Sequence, residues 1–240
     1  MMNKVDIVKR VACWNCKKNI ANIALIALFV FLVFSFAVGS SYTLGEIFHI
    51  YLSGFQDINY ITMFWIWLHI PIEGILFSFL MDTADKTYNL RLLKFRDKKI
   101  YVFSSIISIL PLLMVYYSIG YTALVIMYGA ENLINLLWLP ALTIMESLSI
   151  VLVSFLLSLT IKSYENITFP LVIIIELINC CICAEKKGIL RFLPFTQSKM
   201  VLQNGYFDNG ISLTTSVFYF LIIVIILTAI WLKKDGRSRL

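Results

Sequence analysis

Residues 136–161 read LLWLPALTIMESLSIVLVSFLLSLTI, and Glu146 is the one ionisable side chain among them. A helix of that composition has no face that prefers water, whereas a helix on a soluble core keeps a polar stripe. At about 1.5 Å per residue the stretch is long enough to cross a hydrocarbon core of about 30 Å. Working outward, comparable runs occupy 20–41, 61–81, 100–121, 167–184 and 211–232, and the third continues apolar through 123–128. The runs are long and apolar all round, unlike the alternating ten-residue segments of a membrane barrel.

Across 240 residues, 60% are apolar and 14% charged, and the mean hydropathy is +0.86. Ordinary soluble domains are about 45–50% apolar and about 25% charged. A water-exposed globule of this length cannot bury so much apolar side chain, and the same figures exclude disorder. Six spans with their connections leave no room for a separate soluble catalytic domain, which needs about 100 residues. The expected fold is therefore all-α and integral to the membrane. It is a single domain over 1–240, a six-transmembrane-helix bundle with an N-terminal interfacial helix over 1–19, a cytoplasmic helix within 82–99 and an outer hairpin over 185–210.

The net charge of +6 and pI of about 9.0 could point to nucleic acid, but the placement of the basic residues gives another reading. With the N-terminus inside, sixteen of the 20 Lys and Arg side chains fall on the cytoplasmic side, and Lys186, Lys187, Arg191 and Lys199 fall outside. Such a bias orients helices in bacterial membranes and puts both termini in the cytoplasm. Nucleic acid is not an expected partner; membrane lipid is. No small-residue cleavage pattern closes the first apolar run, so it is expected to be retained as a span. Upstream, Val5, Val8, Val11, Ala12 and Trp14 interleave with Lys4, Lys9, Arg10, Lys17 and Lys18, a pattern suited to a helix lying on the inner leaflet.

The loop between spans two and three carries its own periodicity. Tyr88, Leu92 and Phe95 recur at i, i+4 and i+7, with Asp82 and Asp85 at the start and basic residues at the end, complementing a helix dipole. Either a short amphipathic helix beneath the membrane or a solvated basic loop fits this pattern. Outside, Ile189, Leu190, Phe192, Leu193 and Phe195 are too apolar for a free loop and suit the interface or the outer cap of the bundle. The segment 42–60 mixes apolar and charged residues in the same way.

Three carboxylates fall within spans: Glu73, Glu146 and Glu176. A charge at that depth costs about 2.5–3.5 kcal/mol on insertion scales, so each needs a partner, a cavity or a proton. His69 and Glu73 stand at i, i+4 and share a helix face, with Pro71 between them removing a backbone donor. Two readings remain open for His69, Glu73, Glu146 and Glu176: a polar path for a cationic amphipathic substrate, or interhelical hydrogen bonds that clamp the bundle. Two ligands do not make a metal site, and none is expected. The pair Cys13 and Cys16 lacks a second pair and is expected as free thiols; Cys180, Cys181 and Cys183 suit packing. Trp65, Trp67, Tyr60 and Tyr42 read as an outer interface belt, with Trp14 and Trp231 as an inner one, while Phe29, Phe31, Phe34 and Phe36 are expected to face lipid or a partner subunit.

These features together resemble the membrane subunit of the type-2 ABC exporters. The resemblance lies in residues 82–94 with the basic run 95–100, similar to that family's coupling helix, and in Phe192-Leu193-Pro194-Phe195, similar to its outer Leu-Pro-aromatic stretch. It implies a bacterial cytoplasmic-membrane permease that pairs with a second permease subunit, identical or paralogous. It also implies a cytoplasmic ABC ATPase docked on the coupling helix, where Asp82, Asp85, Tyr88, Leu92 and Arg96 would transmit force. No G-x-x-x-x-G-K-[ST] phosphate loop occurs in the chain, so ATP and Mg would be bound by that partner, with no cofactor and no catalytic residue here. Export of hydrophobic or amphipathic peptides, for secretion or self-immunity, is the activity implied. The alternatives are an intramembrane enzyme using Glu73 with His69, or Glu146, and a peptide-sensing scaffold subunit.

Overall fold

The structure is a computed structural model that describes residues 4–38, 68–82, 98–128, 139–161, 165–182 and 212–233. Each stretch is helical: α1 is Lys4–Val38, α2 is 68–82, α3 is Lys98–Tyr128, α4 is Leu139–Thr160, α5 is Glu165–Ile182 and α6 is Leu213–Lys233. Among the described residues there is no β-strand. Four of these helices, α1, α3, α4 and α6, are long and apolar enough to cross a membrane. Over the described residues the protein is thus all-helical and of the multi-pass membrane kind. The 15 described residues of α2 and the 18 of α5 fall outside that group of four.

The first helix corrects one expectation. An interfacial helix over 1–19 followed by a separate span is not what forms: α1 runs for 35 residues without a break. Its sequence contains neither Gly nor Pro, and one stripe, Ala12, Asn15, Ile23, Ala27, Phe31 and Phe34, is buried on both sides of Asn19. Hydropathy changes at Asn19, but helicity follows local backbone chemistry and the continuous packed stripe. The outward face does change character. Lys9, Arg10, Cys13, Trp14, Lys17 and Lys18 are exposed on the first half, and Leu25, Leu28 and Phe29 on the second.

Side-chain contacts fix the direction of each helix. Asn15 reaches Ser108 at 3.3 Å while Phe31 meets the rings of Tyr116 and Tyr121, so α1 and α3 run parallel. Ser147 donates to Glu73 and Ser158 to Met81 Sδ, so α2 and α4 run parallel. Tyr117 meets Ser147 while Tyr101 and Phe155 both meet Trp231, which sets α3 against α4 and ends α6 beside the start of α3. Phe169 stacks on Phe77, and Ile150 packs with Val172 and Ile173, which sets α5 against α4. The six helices alternate in direction. Asp82, Lys98, Thr160 and Lys233 therefore lie at the end of the bundle where α1 begins.

The core sits between α3 and α4; 72% of the α4 span is buried, against 11% of α6. Lipid tails are as apolar as leucine, so helices in a membrane are held by shape and hydrogen bonds more than by apolar area. Both show here. A Cβ on Gly120 would overlap the Phe31 ring, so the glycine is what lets α1 close on α3. Hydroxyls inside the helices return their protons to carbonyls a turn back: Ser105 to Tyr101, Ser108 to Ser104, Ser149 to Met145 and Thr160 to Leu156. At the start of α6, Ser212 caps the helix through the amide of Thr215 at 3.2 Å.

Two aromatic assignments also change. Trp231 is buried between Phe155 (4.8 Å between centroids) and Tyr101 (5.9 Å), so it is a core wedge; Trp14 is exposed as expected. Phe31 and Phe34 are buried within this chain against α3, whereas Phe29 is exposed. The side chain of Phe36, and residues 42, 60, 65 and 67, lie outside the described residues.

Candidate functional site: a buried polar chain across three helices

Two polar residues of the sequence reading, His69 and Glu73, meet at one place. Helix α2 carries His69 and Glu73 one turn apart on its buried side, as the i, i+4 spacing predicts. Helix α3 presents Tyr116 and Tyr117 to them, and α4 presents Ser147. Tyr117 Oη lies 2.7 Å from His69 Nδ1 and 2.6 Å from Ser147 Oγ, and Ser147 Oγ donates to Glu73 Oε1 at 2.8 Å. His69 and Glu73 are thus bridged through the neighbouring helices. Ser147 and Glu73 are fully buried, and His69 and Tyr117 nearly so.

The surroundings are aromatic and hydrogen-bonded. Tyr116 donates to the Leu68 carbonyl at 2.6 Å, within the turn that contains Pro71. The Tyr116 and Tyr117 rings meet edge to face at 5.3 Å, and Phe31 closes the side toward α1. Gly74, one residue past Glu73, leaves room for the Phe169 ring of α5. Glu146 is buried as well, and it lies within electrostatic reach of Tyr121, whose ring is 6.3 Å from that of Tyr117. Both described carboxylates of the spans therefore face the tyrosines of α3.

The arrangement constrains the chemistry. The Ser147 hydroxyl is directed at a carboxylate and is 3.5 Å from the imidazole, so it is not poised as a nucleophile whose proton a histidine removes. Among the described residues no group of three metal-ligating side chains occurs, and no metal-holding set is present there. The geometry does suit holding and relaying a proton, and it ties three helices together. Replacing Tyr117 by phenylalanine should lower bundle stability by about 1–2 kcal/mol, since it removes two buried hydrogen bonds, one to His69 and one to Ser147. Tyr116→Phe should cost less, because its acceptor is a helical carbonyl. Thermal unfolding of both variants in the same detergent measures the difference.

Of the other sequence-predicted residues, Asp82 ends α2 and is exposed, while Asp85, Tyr88, Leu92 and Arg96 lie outside the described residues. Glu176 is on α5, but its side chain is outside the described set. The outer hairpin over 185–210 is outside it too. Tyr117 and Ser147 were not singled out from the sequence; a tyrosine and a serine in apolar helices carry no signal until helix rotation is known. Comparison with protein-family models, with curated proteins and with solved structures finds no match to this chain.

Proposed function

We propose that this chain is the membrane-spanning subunit of an ATP-driven exporter of the type-2 ABC kind. It crosses the bacterial cytoplasmic membrane six times, with both termini in the cytoplasm. The observation that carries the reading is where the two helices that flank the amphipathic stretch end and begin. Asp82 at the end of α2 and Lys98 at the start of α3 lie at the same end of the bundle, with the start of α1 and Lys233. Residues 83–97 join two core helices there, at the end where basic residues gather, so a force applied to them reaches His69, Glu73 and Tyr117 through the same helices. By the positive-inside rule that end is cytoplasmic.

In this reading a separate ATPase binds ATP and Mg, grips Asp85, Tyr88, Leu92 and Arg96, and works on Asp82 at the helix end. A second permease subunit, identical or paralogous, completes the pathway. The buried acids at 73 and 146, with 176, suit a cationic amphipathic peptide as cargo, for secretion or self-immunity. Catalysis by this chain alone, or a scaffold that senses peptide without moving it, would need no partner at residues 82–99. The test is co-purification. The chain isolated from its native membrane should bring an ATP-hydrolysing subunit, and Asp85→Arg or Leu92→Glu should remove it while the bundle stays folded. ATPase binding that survives both substitutions overturns the reading.

A further inference from the structure

The order of the links between His69 and Glu73 carries a consequence of its own. Each of the two intervening hydroxyls, on Tyr117 and Ser147, has one proton to give and lone pairs to accept. The three links measure 2.7, 2.6 and 2.8 Å from imidazole to carboxylate. With the imidazole doubly protonated and the carboxylate charged, Nδ1–H donates to Tyr117, Tyr117 to Ser147 and Ser147 to Glu73. With the imidazole neutral and the carboxyl protonated, every link simply reverses. Glu73 then donates to Ser147, Ser147 to Tyr117 and Tyr117 to Nδ1. All three hydrogen bonds survive in both arrangements.

One step connects them. The Nδ1–H bond breaks as a Tyr117 O–H forms, the former Tyr117 proton passes to Ser147, and the former Ser147 proton passes to Glu73 Oε1. Three protons each advance by one link, no other bond changes, and an ion pair becomes two neutral groups. The site is buried inside the bundle, where separated charge is costly, so a route that neutralises both ends without moving a helix has a clear energetic use.

We propose that the His69–Tyr117–Ser147–Glu73 chain is an internal proton-binding site, in which one proton is shared between an imidazole on α2 and a carboxyl group one turn further on, by way of hydroxyls on α3 and α4. The titratable groups facing it are Tyr116, Tyr117 and Tyr121 from α3 and Glu146 from α4; the described side chains that close it from α1 and α5 are Phe31 and Phe169, which carry no charge. The ligand is a proton, and the end of the chain at which it resides sets the sense of the hydrogen bonds that hold α2 to its two neighbours. The inference rests on the chain geometry and stands apart from the exporter reading.

The experiment uses the full chain in lipid nanodiscs. Infrared difference spectra follow the carboxyl band of Glu73, assigned by Glu73→Gln against Glu146→Gln. Nitrogen resonances of labelled histidine follow His69, with His49→Gln removing the other histidine of the chain. Glu73→Gln should move the His69 midpoint by about one pH unit or more, the mark of coupled sites. Tyr117→Phe should abolish that dependence, and Ser147→Thr, which keeps the hydroxyl, should preserve it. A His69 titration indifferent to Glu73, or coupling unchanged by Tyr117→Phe, overturns the proposal. Should Tyr117→Phe fail to fold, wild type, Glu73→Gln and Ser147→Thr still decide it: no shift of the His69 midpoint means no shared proton.

Discussion

Valine in place of Gly120 should separate α1 from α3 and lower the stability of the bundle by about 3 kcal/mol, at the top of the usual range for overpacking. Even a single Cβ at this position would overlap the Phe31 ring, and valine adds two methyl groups beyond it. Phe31 cannot step aside cheaply: it is buried and held by Tyr116 at 5.8 Å and Tyr121 at 6.3 Å. The strain therefore passes to the tyrosines that flank the polar chain. Phe31→Ala makes room, so the double variant Phe31→Ala with Gly120→Val should be more stable than the sum of the two single losses implies. Such a cycle, measured by unfolding in mixed micelles, should give a coupling of about 1–3 kcal/mol. Additive losses would show that the ring and the glycine do not meet.

Trp231→Ala should have the second large effect, because α6 has little else to hold it. Its buried residues are Ser216, Phe220 and Trp231, and its outward face is a run of exposed apolar side chains. Tryptophan-to-alanine changes in soluble cores cost about 3–5 kcal/mol. In a bilayer part of that cost is absent, since lipid solvates apolar groups as well as protein does, so about 2–3 kcal/mol is expected. The loss falls at the end of the bundle where Tyr101 and Phe155 clasp the indole. Limited proteolysis at residues following Lys233 should become faster in Trp231→Ala and stay unchanged in Trp14→Ala, whose side chain is 60% exposed.

Hydropathy made the long apolar helices legible, and the ends of two agree closely with the sequence reading: 136–161 became Leu139–Thr160 and 211–232 became Leu213–Lys233, while the apolar continuation of the third through Tyr128 was real. The rotation of each helix was not legible. Both faces of a membrane helix are apolar, so the amphipathic signal that marks a buried face in water is missing. Here the marks were the small and polar residues. Ser104, Ser105, Ser108 and Gly120 face inward on α3, and Thr143, Glu146, Ser147, Ser154 and Ser158 on α4, the reverse of the pattern in a soluble protein. Read that way, Phe31 and Trp231 still could not be told from lipid-facing aromatics, because what buries them is the space left by Gly120 and the approach of Tyr101 and Phe155 to the indole.

The polar chain shows the same division. His69 and Glu73 stood out because ionisable groups in a span are expensive, and their shared face followed from the helical repeat. The bridge did not follow, since it joins residues 30 to 74 positions apart through the facing of three helices. The expectation of a surface-lying N-terminal helix failed for a related reason. A basic, amphipathic composition describes the outward face of α1 and says nothing of Asn15, which turns inward and bonds Ser108.

The most direct test of the exporter reading is transport itself. Inverted vesicles holding the full chain with its ATPase should accumulate a fluorescent cationic amphipathic peptide when given ATP and Mg, and should lose that uptake with a non-hydrolysable analogue or with Leu92→Glu. Uptake that proceeds equally without nucleotide, or persists in Leu92→Glu, would contradict the account.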